Sequence, residues 1–131
     1  MRTRTETLAA LLALALIPLA ALGHPARGAT YLVTPDGGGD YPTIQQAIDH
    51  ASDGDTILLT DGIYQGAFNR DIRFWGKAIS LRSQNDDPTA CIIDCQATPE
   101  EPARGFTLSS GETEQTVIRG LTIQGGISPD T

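Results

Sequence analysis

Aromatic side chains are scarce in this chain, and so are cysteine and positive charge. Phe, Trp and Tyr make up 5% of 131 residues, with a single Trp. A helix bundle, whose core wants large side chains, is disfavoured by that poverty. The 14 glycines suit thin strands and frequent turns instead. Nine Lys and Arg against 16 Asp and Glu give a formal net charge of -7. A nucleic-acid partner needs a basic footprint and an anionic membrane needs a polybasic patch, so this balance argues against both. No Ser/His/Asp set, phosphate loop or dinucleotide fingerprint is present.

Only two cysteines occur, Cys91 and Cys95. On one straight strand their Cα atoms stand about 13 Å apart, at about 3.3 Å per residue, whereas a disulfide needs under about 7 Å. A Cys91–Cys95 bridge therefore requires a bend at 92–94. The other reading is two small apolar residues packed inside. Zinc fits poorly, because two thiols at this spacing have no nearby His.

Long apolar runs are also lacking, with one exception. Arg2 and Arg4 precede residues 8–22, which are almost all Leu, Ala and Ile, interrupted by Pro18. Small residues follow at Gly23 and Gly28. A charged start, a short apolar stretch and small residues read as a signal peptide over 1–28, cleaved after Gly28 or, second, after Gly23. Export then predicts a secreted, periplasmic or cell-surface protein, in a compartment where disulfides persist. The mature chain, 29–131, has no second apolar run and is expected to have no membrane span.

What remains is a helix followed by short strands. Tyr31-Leu32-Val33-Thr34 is β-prone and ends at Pro35, and the Asp/Gly stretch 36–40 is a turn. Ile44, Ala47, Ile48 and Ala51 recur on one helical face, predicting a helix over about 42–51, with Pro42 in its first turn and Gly54 as its left-handed stop. Beyond it come runs at 56–60, 63–64, 71–74, 78–83, 92–93, 105–109 and 117–123, separated by polar or Gly/Pro loops. Tight two-residue hairpin signals are scarce, which favours a β-solenoid over a sandwich. Ile57/Leu59, Ile79/Leu81 and Leu121/Ile123 look like stacked inward pairs, the first two separated by about 22 residues, the size of one coil. The amphipathic helix stands where a lid over the first coil is needed.

The string Asp36-Gly37-Gly38-Gly39-Asp40-Tyr41-Pro42-Thr43-Ile44-Gln45-Gln46-Ala47-Ile48-Asp49, followed by Gly54-Asp55-Thr56-Ile57 and Asp61-Gly62-Ile63-Tyr64, resembles the opening of the pectin-lyase-like β-helix superfamily. It looks most like bacterial right-handed β-helix repeat proteins and shares features with the start of pectinesterases. The resemblance covers 31–83 well and 84–126 loosely. It implies an all-β solenoid, a right-handed parallel β-helix of about three coils with an N-terminal capping α-helix, of which 29–131 is the N-terminal portion of a longer, truncated domain. The fold does not fix activity, since enzymes, adhesins and surface proteins share it. No catalytic residue carries over, because those of pectinesterases and pectate lyases lie on later coils.

The candidate chemistry is thin. The 36–40 turn could hold calcium, yet calcium-binding β-rolls need several stacked copies, so an ordinary turn is the simpler reading. Asp86-Asp87 and Glu100-Glu101 sit in polar loops, and Asp71 and Asp94 beside strands, without the convergence acid–base work needs. Tyr64, Phe74 and Trp75 with Arg73 could form a sugar-stacking surface, the aromatic faces packing on sugar rings while Arg reaches hydroxyls or uronate carboxylates. The competing reading makes Phe74 core and Trp75 a turn cap. His24 and His50 read as solvated. The expectation is an exported β-helix repeat protein without catalysis or cofactor, binding extracellular polysaccharide or cell-surface components or serving structurally. The alternative is the N-terminal fragment of a carbohydrate-active enzyme of pectinesterase or pectate lyase type, lacking its active-site coils.

Overall fold

The computed structural model describes residues 28–129. The expected signal peptide therefore lies, except for Gly28, outside the described residues. The remainder is mostly β, with one short helix. In chain order the elements are β1 (Thr30–Val33), α1 (Ile44–His50), β2 (Thr56–Leu59), β3 (Gly62–Tyr64), β4 (Ile72–Arg73), β5 (Ser80–Ser83), β6 (Cys91–Asp94), β7 (Phe106–Thr107), β8 (Val117–Arg119) and β9 (Thr122–Gln124).

All strand pairing is parallel, in three sheets. The first runs β1-β2-β5-β8, the second β3-β6-β9 and the third β4-β7. From β2 onward the chain visits the first, second and third sheets in turn, then repeats. Parallel neighbours cannot be joined by tight hairpins, which accounts for the missing two-residue loops. Inward positions line up across each sheet. Ile57 lies beside Leu81, and Leu81 beside Ile118. Ile93 lies beside Ile123 in the second sheet.

These registers correct the expected stacking. Ile79 is buried but precedes β5, so Leu81 and Ser83 stand opposite Ile57 and Leu59. Leu121 and Ile123 do not continue that column, because β9 belongs to the second sheet and Ile118 holds the equivalent place. The period-two alternation holds in β2, β5 and β6. It carried no information on which strand pairs with which, since that depends on loop length.

Helix α1 is shorter than expected. Thr43 is its N-cap, with extended backbone and a hydroxyl accepting the Gln46 N–H at 3.3 Å. Pro42 therefore sits before the cap and not inside the first turn. At the other end the chain turns extended at Ala51, and the Lys77 ammonium donates to the carbonyls of Ile48, Asp49 and Ala51 at 2.8 to 3.0 Å. A cation there satisfies the orphaned carbonyls and meets the negative end of the helix dipole. Gly54 does adopt a positive φ of 88°, but in the turn after the helix.

Ile44, Ala47 and Ile48 bury one helical face against a core that includes Val33, Ile57, Leu59, Tyr64, Ile72, Phe74, Leu81 and Ile93. The outer side of β1 is closed at Leu32. Asp40 accepts the Leu32 N–H on Oδ2 and donates its own N–H to the Leu32 carbonyl, both at 2.7 Å. Gly39 permits this approach, since a Cβ there would lie 2.4 Å from the Leu32 carbonyl oxygen. Gln45 does the same for β4. Its side-chain amide donates to the Arg73 carbonyl and accepts the Arg73 N–H, both at 2.9 Å, as a neighbouring strand would.

Candidate functional site

A shallow open groove of about 440 Å³ lies between α1 and the segment from Ala67 to Trp75. Gln45 and Asp49 form the helix side, and Phe68, Arg70, Asp71, Arg73 and Trp75 the other. Two large aromatics stand open to solvent there, Phe68 at 59% and Trp75 at 52% exposure. Exposed aromatic rings forgo burial that is worth about 1.5–3 kcal/mol for a side chain such as Phe, so their presence together asks for a reason.

The backbone holds them out. Phe68, Asp71 and Trp75 have positive φ of 68°, 51° and 58°. A bulky side chain in the left-handed region costs on the order of 1–3 kcal/mol, and such residues gather where a site needs a particular projection. Three of the five non-glycine residues with positive φ among the described residues line this groove.

Hydrogen bonds lock the arrangement. The Trp75 indole N–H donates to Asp49 Oδ1 at 2.9 Å, and Gln45 Nε2 donates to the same oxygen at 2.9 Å. The carboxylate makes both bonds charge-assisted. Arg73 places its guanidinium 5.7 Å from the centre of the Trp75 ring. Asp71 accepts the Arg104 N–H at 2.8 Å, and Arg70 donates to the Cys95 carbonyl at 2.9 Å. A pinned indole beside an exposed phenyl ring, flanked by donors and acceptors, can bind a flat, polar-edged ligand.

Of the residues expected at a sugar-stacking surface, Arg73 and Trp75 are here together. Tyr64 is not. It is fully buried, with its hydroxyl 2.8 Å from the Val33 carbonyl and 2.9 Å from that of Thr60. It lies on the inward side of β3, where burial pushes its pKa up to about 12. Phe74 is likewise core. Sequence reasoning missed Phe68, Gln45, Asp49 and Arg70. Phe68 carried a signal, being a lone aromatic in a polar loop. The helix side carried none, because its partner strand lies far along the chain.

Other candidates are spent on local structure. Asp36 accepts from the Thr34 hydroxyl and the Gly38 N–H, which holds its carboxyl below the usual range, and Asp40 serves Leu32. Among the described residues no group of three or more His, Cys, Asp or Glu is gathered for a metal ion. Asp86 pairs with Arg119 and Asp87 with Thr89. Cys91 and Cys95 are buried free thiols, in and just after the extended β6. Burial pushes the Cys91 thiol up to about 11 and raises that of Cys95. His50 is exposed, and it also has aromatic neighbours. Its ring lies 5.6 Å from Tyr31 and 5.0 Å from Tyr41, and the two tyrosines meet at 5.5 Å. A second hollow, lined by Thr113, Glu114 and Gln115, offers no ring. Among the described residues no helix is long and apolar enough to cross a membrane. No protein-family model, curated protein or solved structure matches this chain.

Proposed function

We propose that this chain is an exported, non-catalytic module that binds extracellular polysaccharide through the Phe68–Trp75 groove, carried on the first coils of a right-handed parallel β-helix. The winding is supported by wholly parallel pairing and by the cyclic order in which the chain visits its three sheets. Parallel crossovers are right-handed in nearly all proteins, which supplies the hand. Export rests on the signal-like residues 1–28.

One observation carries the binding reading. Two exposed rings are presented by left-handed backbone, one of them pinned by an indole–carboxylate bond and overlaid by an arginine. Sugar rings stack on such faces while their hydroxyls meet the polar rim. Affinity electrophoresis in gels containing soluble plant, algal and bacterial polysaccharides tests it. The protein should be retarded by at least one of them, and Trp75→Ala and Phe68→Ala should each abolish the retardation. Equal mobility of the protein and both variants in every gel would refute the reading. Release of sugar fragments from a retarding polysaccharide would instead favour the enzyme alternative.

A further inference from the structure

The polar groups of the groove differ in how much of their bonding capacity is used. Asp49 spends Oδ1 on Trp75 and Gln45, and Asp71 spends Oδ1 on the Arg104 N–H. The second oxygen of each carboxylate has no protein donor among the described residues. The Arg73 guanidinium has no protein acceptor among them and lies over the Trp75 ring. Arg70, by contrast, is engaged with the Cys95 carbonyl and lies 3.9 Å from Glu101.

The open array is therefore one donor-only group and two acceptor-only oxygens beside an aromatic platform. A sugar hydroxyl both donates and accepts, so neighbouring hydroxyls can satisfy Arg73 and the two carboxylates together. A uronate carboxylate only accepts. It would pair with Arg73 but bring a third negative charge beside Asp49 and Asp71, in a chain of net charge -7. We infer that the groove selects uncharged, hydroxyl-rich sugar units over uronate units. This rests on the glycan-binding reading above and names its ligand class.

Trp75 is the only tryptophan, so its fluorescence reports on this groove alone. The protein is titrated with neutral hexasaccharides of glucan, xylan, mannan and galactan, and with hexagalacturonate, at low and high salt. At least one neutral hexasaccharide should shift the emission with salt-independent affinity, about tenfold or more tighter than hexagalacturonate. Asp71→Asn and Asp49→Asn keep the Oδ1 acceptor and remove the charge, so the double variant should narrow that gap. Tighter, salt-weakened binding of hexagalacturonate overturns the selectivity and leaves a glycan groove standing. Trp75 emission unmoved by every hexasaccharide removes the groove and the selectivity with it.

Discussion

Gln45 shows how much one side chain can hold. It is 8% exposed and completes both backbone hydrogen bonds of Arg73 while bracing Asp49. Gln45→Ala removes both part-buried hydrogen bonds from the Arg73 backbone, so it should destabilise the protein by about 0.5–1.5 kcal/mol, read from the urea midpoint at unchanged slope. An unshifted midpoint would mean that water replaces the amide at no cost. Tyr64 and Cys91 make a second test, through pH. Both are acids whose folded pKa, about 12 and about 11, lies above the ordinary values near 10 and 9. The folded state thus favours the neutral forms. Stability should be full below about pH 9 and fall as the unfolded chain loses these protons first, through about pH 12. Tyr64→Phe should flatten the upper part of that fall, at the cost of about 1 kcal/mol at neutral pH from the lost hydroxyl bond. A fall of unchanged slope in the variant would deny Tyr64 its part. Trp75 and Arg73 were legible as candidates because a Trp beside an Arg near a glycine turn is conspicuous. Tyr64 was misread because the strand pattern left its facing direction open.

Helix α1 is short for its stability, and its ends explain why it persists. A seven-residue helix is marginal alone and needs capping and an apolar face. Lys77 satisfies three carbonyls at its C-terminal end from the connection between β4 and β5. Lys77→Met retains much of the side-chain bulk but removes these bonds. It should cost about 1.5–3 kcal/mol and raise amide exchange at 48–51 before elsewhere, measured by hydrogen exchange. Uniform exchange along the chain would show that the ammonium is dispensable. The helix itself was readable from the spacing of Ile44, Ala47, Ile48 and Ala51. Its limits were not, because Lys77 acts from 26 or more residues away. For the same reason the strands were visible as apolar runs, whereas the partners of Leu59 and Ile123 were not.

Across the whole molecule the two flanks of the first sheet are unlike. The outer side of β1 has its Leu32 groups consumed by Asp40, while β8 ends the sheet with no neighbouring strand among the described residues. The mostly β character was legible in the sequence through short runs and abundant glycine, but this closure at Leu32 was not, because Asp40 looked like one more turn residue in 36–40. Asp40→Ala strips the Leu32 N–H of its carboxylate acceptor and so opens one of the two outward backbone groups of Leu32 on the β1 flank. The variant should scatter light and bind thioflavin at concentrations where the parent stays clear. A clear solution of the variant would show that the Gly39 approach alone guards the flank. The Asp40 contact thus gives growth of the first sheet a direction: an incoming strand meets spent backbone groups at Leu32, so the sheet is not extended from the β1 side.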